Sequence, residues 1–140
     1  MRHNEMVAKL AKPGKSILDS LTAESCDVLH MAVGISGEAG ELLDAIKKHV
    51  IYGKPLDREN VVEELGDIEF YIEGLRQALD ITRDETIEAN IEKLCNGRYK
   101  DGVYSDEAAI GRADKCREGR VVLRRHLIAK LESEIKEIQD

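Results

Sequence analysis

Two short stretches carry the residues best suited to chemistry. Residues 37–41 read GEAGE and residues 63–67 read EELGD, so Glu38 pairs with Glu41, and Glu64 with Asp67, each at a spacing of three. On a helix that spacing sets both carboxylates on one face, a single turn apart. Two such pairs brought together would offer an all-oxygen ligand set, which suits Mg2+ or Mn2+. Left without a cation, four carboxylates in one groove repel one another and raise their own pKa values. Helical di-iron sites use Glu-x-x-His on two of their helices. Neither stretch holds a histidine, and His30 and His49, about two turns outside the acids, read as packing or surface residues.

The elements that must position these acids follow from capping residues and apolar spacing. The first 16 residues read as a short helix interrupted at Pro13-Gly14. Thr22 is the expected N-cap of a long helix running to about Tyr52, and residues 52–57 (YGKPLD) form a connection. Asp57 caps a second helix to about Asp80, and Thr82 with Glu85 has the capping-box spacing that opens a third through about Asn96. A glycine-rich loop occupies residues 97–106, Ser105 caps a short turn, and the tail from about Arg117 reads as a last helix. Alternation of β-branched residues is nowhere sustained, so the fold class is all-α.

Each long helix carries an apolar seam, Val28, Ala32, Ile35, Ala39, Leu42 and Ile46 on the first, and Val61, Leu65, Ile68, Ile72, Leu75 and Leu79 on the second. Steps of four and three are those of helices packed side by side in a bundle. All four acids sit one residue before a seam position, on a flank shared with Met31, Gly34 and Ala45 on one helix, and Asn60, Tyr71, Gly74 and Ala78 on the other. A solvated flank would mix lysine with glutamate, and here no lysine falls in register before Lys48. Gly37, Gly40 and Gly66 each cost up to about 1 kcal/mol in a helix interior relative to alanine. Such a flank implies helices that approach closely, or a space beside them that stays open.

Composition narrows the class further. The chain has 140 residues, 42% of them apolar and 35% charged, enough for one domain with a core. No apolar run approaches the roughly 20 residues of a membrane helix, and the first residues lack an apolar signal core. Three cysteines with no CxxC pair fit reduced thiols, so a cytoplasmic protein is expected. Residues 1–111 hold 13 Lys/Arg against 22 Asp/Glu, a net −9, while residues 112–130 hold 7 against 2, a net +5. An acidic body of this kind argues against a nucleic-acid coat, and the basic segment lacks interleaved aromatics.

The two acidic stretches with their surroundings, GISGEAGELLDAIKK and VVEELGDIEFYIEGL, resemble the paired ExxE and ExxD motif of the MazG-like all-α nucleoside triphosphate pyrophosphohydrolases. The third helix, EANIEKLCNGRY, is similar to that family's Asn-x-x-Lys followed by Arg-Tyr, and the likeness spans roughly residues 22–115. The resemblance implies a MazG-like helical bundle; two long helices with one side thinly covered, and a tail with Ile128, Leu131, Ile135 and Ile138 on one stripe, predict its completion in a homodimer or homotetramer. The resemblance makes Glu38, Glu41, Glu64 and Asp67 the Mg2+ ligands (Mn2+ as substitute), with Glu38 or Glu41 taking the proton of the attacking water. It sets Asn90, Lys93, Arg98 and Tyr99 against a nucleoside triphosphate. The segment KLCNGRY is one residue longer between lysine and arginine than the family pattern.

On this reading residues 1–116 are the pyrophosphohydrolase domain and residues 117–140 an amphipathic helix for packing or assembly. The expected reaction yields nucleoside monophosphate and pyrophosphate. A dUTP- or dCTP-specific enzyme, a phosphoribosyl-ATP pyrophosphatase and a non-catalytic helical scaffold are the alternatives. The scaffold would have no need of four acids.

Overall fold

A computed structural model describes residues 1–99 and 102–112, together with Ile128 and Lys136. Apart from those two, the tail from residue 113 onward lies outside the described residues. With it lie the expected last helix, the boundary at 116/117 and most of the basic segment. Every described element is helical, and no strand occurs among the described residues.

The chain divides into two units, the first spanning Met1–Ile81 and the second beginning at Thr82. In the first, α1 (His3–Leu10) and α2 (Gly14–Leu18) are separated by Pro13, which ends one and caps the other. Helix α3 (Ala23–Val50) starts at Thr22, whose hydroxyl accepts from the Ser25 amide at 3.2 Å while the Ser25 hydroxyl accepts from the Thr22 amide at 2.8 Å. Helix α4 (Arg58–Leu79) starts at Asp57, which accepts from the Asn60 amide at 3.1 Å. Between them Gly53 takes the left-handed conformation (φ 63°) and His49 Nδ1 meets the Lys54 carbonyl at 2.8 Å. That bond closes the turn between the two helices.

The side on which α3 and α4 meet differs in part from the expectation. The seam is half-exposed: Ala32, Ala39, Ile46, Leu65 and Leu79 all face solvent. The contact takes in the other seam residues, Val28, Ile35, Leu42, Val61, Ile68, Ile72 and Leu75, all half-buried, together with part of the acid-bearing flank. Gly34 lies under the Tyr71 ring and Gly74 under the Met31 thioether, so closely that a Cβ at either glycine would overlap its neighbour. Ala45, at 8% exposure, is the one buried apolar residue among those described. The reason is steric, because rows of small residues let two backbones approach where rows of leucine hold them apart. Nothing lies within 4 Å of a Cβ built on Gly37, Gly40 or Gly66, so these three border open space.

In the second unit α5 (Arg83–Glu92) opens with the expected Thr82–Glu85 capping box, the Glu85 amide reaching the Thr82 hydroxyl at 3.1 Å. The α-helix stops at Glu92, short of the expected Asn96, and residues Lys93–Arg98 wind as a π-helical turn. Ser105 then caps α6 (Asp106–Gly111), accepting from the Ala108 amide at 3.1 Å.

The two kinds of glycine predict opposite outcomes. Alanine at position 34 must displace the Tyr71 ring, an overpacking cost of about 1–3 kcal/mol that exceeds the helix-propensity gain of at most about 1 kcal/mol. Gly34→Ala therefore melts below the wild type by calorimetry, and Gly37→Ala, with open space beside it, melts at or above it. A stabilised Gly34→Ala would contradict the interface.

Candidate metal centre

Glu38 and Glu41 stand on adjacent turns of α3, and Glu64 faces them from α4. One carboxylate oxygen from each lies within 4.8 Å of the other two. Their surroundings differ. Glu64 is 7% exposed and lies in the helix contact, Glu38 is half-buried, and Glu41 is open to solvent. The contact seats Tyr71 on Gly34 and Met31 on Gly74, with Ala45 and Glu64 buried along it. The same closeness strips most of the water from Glu64.

Electrostatics follow from that placement. Burial pushes the Glu64 carboxyl above its ordinary range, and the charges of Glu41 and Glu38 push in the same direction. A hydrogen bond to Glu38 and the charge of Asp67 add to this. No ion pair among the described residues relieves the crowding. The next lysines along α3 are committed elsewhere: Lys47 and Lys48 both pair with Asp44, at 2.7 and 2.9 Å, and hold its carboxyl down at about 2. Lys48, which the sequence places in register with the acids, thus closes the end of α3.

A desolvated carboxylate without a cation, converging with two others, fits a hard divalent ion in its ligand chemistry. The donors are all oxygen and come from two facing helices. Asp67 stands one turn beyond Glu64, exposed and outside the convergent three, and acts on the group through its charge.

The residues expected to meet a substrate belong to the second unit. Asn90 is exposed on α5, while Lys93 and Arg98, both half-buried, begin and end the π-helical turn. Within that turn the Tyr99 amide bonds the Leu94 carbonyl at 2.7 Å, a step of five residues. A π turn takes up one more residue than an α turn before the chain returns to the same face. The residue by which KLCNGRY exceeds the family pattern is thus accommodated in the winding of the helix. Tyr99 packs on Tyr104 with ring centroids 5.8 Å apart, and the Tyr104 hydroxyl donates to Asp106 at 2.8 Å.

The sequence does not distinguish Glu64 from the other three acids. Its burial depends on which side of α4 meets α3, and Gly34 and Gly74, both on the acid flank, are the signal that marks that side.

Residues 27–102, more than half of the chain, match the family described as the MazG nucleotide pyrophosphohydrolase domain. The chain belongs to that family, an all-α class of nucleotide hydrolases. It is also similar to the Gene 37 protein of Mycobacterium phage L5, at 30% identity over 87 residues, covering 59% of this chain and 72% of that protein. No solved structure is a significant match.

Charge crowding has a measurable consequence. A carboxyl whose pKa is higher in the folded state binds its proton more tightly there. Its unfavourable contribution is therefore absent in acid and grows as pH rises past the ordinary glutamate value. In EDTA at pH 7.5, Glu64→Gln is expected to melt above the wild type, the difference shrinking towards pH 4. Added Mg2+ should raise the wild-type melting temperature more than that of the variant. A variant melting below the wild type in EDTA at neutral pH would contradict the crowding.

Proposed function

We propose that the protein is a Mg2+-dependent nucleoside triphosphate pyrophosphohydrolase that cleaves between the α- and β-phosphates and releases nucleoside monophosphate and pyrophosphate. The observation that carries this reading is the convergence of Glu38, Glu41 and Glu64, the last of them buried and without an ion pair among the described residues. Glu38, Glu41, Glu64 and Asp67 are the residues that would hold the metal. Mg2+, when bound, would polarise phosphoryl oxygens and lower the pKa of a water.

The chain's own groups supply the remainder. Glu41, the exposed member of the three, is the group best placed to accept the proton of the attacking water, since Glu38 is engaged with Glu64. Glu64 and Asp67 hold negative charge opposite, and at neutral pH a bound cation would relieve the crowding among them. That requirement ties an acidic site to an anionic substrate. Lys93 and Arg98, with Asn90 and Tyr99, are assigned to the nucleotide by the family likeness. Terminal attack releasing orthophosphate commonly relies on a glycine-rich phosphate loop, and the sequence holds no GxxxxGK[ST]. The cytoplasm, with its nucleotide pool and reducing conditions, is the compartment this reading assigns.

Assembly belongs to the same proposal. Leu29, Val33, Leu43, Val50, Val62 and Leu65 are all exposed on α3 and α4. A helix pair whose one buried apolar residue is an alanine needs a partner surface. We assign that surface to a second copy, in a homodimer or homotetramer.

Three measurements check this. Nucleoside triphosphate with Mg2+ should yield monophosphate and pyrophosphate in equal amounts, and the phosphate colour reaction should appear only after inorganic pyrophosphatase is added. EDTA should abolish turnover, and Glu41→Gln should lower kcat at least roughly 100-fold, as when a charge-stabilising group is lost. Light scattering at micromolar concentration should give a mass of at least two chains, and a monomer would rule out the assembly.

A further inference from the structure

At the end of the π-helical turn the chain is fixed bond by bond. The Tyr99 amide donates to the Leu94 carbonyl at 2.7 Å, and the Tyr99 carbonyl accepts from the Gly102 amide at 2.8 Å. Gly102 takes the left-handed conformation there (φ 67°), which glycine adopts without steric cost. Both backbone groups of Tyr99 are therefore bonded. Its half-buried side chain has one aromatic neighbour among the described residues, Tyr104, with ring centroids 5.8 Å apart and planes tilted by 38°. That separation lies in the range over which aromatic rings attract.

Tyr104 is itself anchored. Its hydroxyl donates to the Asp106 carboxylate at 2.8 Å, and that bond holds the phenol pKa above its ordinary value, so the donated proton stays in place. A hydrogen bond to a charged acceptor is stronger than one between neutral groups. Asp106 is the first residue of α6, and the Ser105 cap on the Ala108 amide fixes the start of that helix. An exposed side chain ordinarily hops between rotamers. Tyr104, although 68% exposed, is held at both its ring and its hydroxyl. The restraint runs from α6 through Tyr104 to Tyr99, the neighbour of Arg98.

We propose that Tyr104 is a positioning residue, anchored by Asp106, that fixes the Tyr99 side chain for its contact with the nucleotide. This role rests on the proposed nucleotide hydrolysis, with Tyr99 among the residues that meet the substrate. Tyr104 acts through Tyr99 and does not touch the nucleotide. A side chain fixed before its ligand arrives loses less rotamer freedom on binding, so the gain falls on affinity and not on rate. Neither Tyr104 nor Asp106 belongs to the Asn-x-x-Lys and Arg-Tyr pattern on which the family likeness of this segment rests.

The test is calorimetric binding of non-hydrolysable α,β-imido analogues of ATP, GTP, CTP and dUTP with Mg2+, beside steady-state turnover of the four nucleotides themselves. Tyr104→Ala should weaken analogue binding about fivefold, the scale of one lost aromatic pair. KM should rise by the same factor while kcat stays nearly unchanged. In a Tyr99→Ala background the same substitution should have no further effect, because residues that act through one another are not additive. Tyr104→Phe keeps the ring and loses the bond to Asp106, so it should recover most of the affinity, and Asp106→Ala should match it. Unchanged binding in Tyr104→Ala would overturn the proposal. So would a loss that adds to that of Tyr99→Ala, since Tyr104 would then act independently of that ring. A Tyr99→Ala variant that binds like the wild type would overturn it as well, as would a wild type that binds none of the analogues. A wild type that binds an analogue but turns over no nucleotide would instead refute the hydrolase reading, and the binding comparison would still decide the role of Tyr104.

Discussion

A carboxyl group set between two helices, with two more carboxyl groups beside it and no ion pair to it among the described residues, is the constraint that organises this molecule. Like charges in a poorly solvated place are costly, and proteins ordinarily relieve that cost with lysine or arginine. Here Lys47 and Lys48 are turned to Asp44 instead, and Glu64 keeps an unfavourable environment. Folding alone gains nothing from the arrangement. Binding the proposed divalent ion would, and it would link the stability of the helix pair to its chemistry.

The contact that creates the constraint is made by small residues. Gly34 and Gly74 let Tyr71 and Met31 lie against the opposing backbone, and Ala45 fills what remains. A tighter apolar interface between larger side chains would hold the helices too far apart for Glu38, Glu41 and Glu64 to converge. Using the acid flank for that contact leaves the aliphatic seam half-exposed. The exposed leucines and valines of α3 and α4 are the observation on which the proposed assembly rests.

The second unit shows another compromise between sequence and geometry. One residue more than the family pattern would turn the last part of the third helix away from its usual direction if the winding stayed α. A π-helical turn over Lys93–Arg98 absorbs it. Its hydrogen bonds are less favourable than those of an α turn, which is why such turns are rare and are found mostly at functional positions. Lys93 and Arg98, at its two ends, are the cationic residues proposed to meet the substrate.

How much of this was legible in the sequence depends on whether a feature is local. Thr22, Asp57, Thr82 and Ser105 mark the starts of α3, α4, α5 and α6, because capping is settled within four residues of chain. The spacing of Glu38 with Glu41 and of Glu64 with Asp67 puts each pair on one face for the same reason. The contacting face was a different matter. Aliphatic periodicity pointed to the seam beginning at Val28, and the contact covers part of that seam but extends onto the neighbouring flank, where Gly34 and Gly74 lie under Tyr71 and Met31. Periodicity describes a single helix, but the contact depends on how closely two can come together. Only tertiary structure could therefore separate Glu64, buried and with its carboxyl pushed upward, from Asp67, exposed one turn away. The end of the third helix was likewise set by hydrogen bonds that the apolar pattern does not encode. The sequence by itself determined which residues carry charge and on which turn. The closeness of two backbones decided which of those charges lost their water, because desolvation belongs to a pair of helices and to neither one alone.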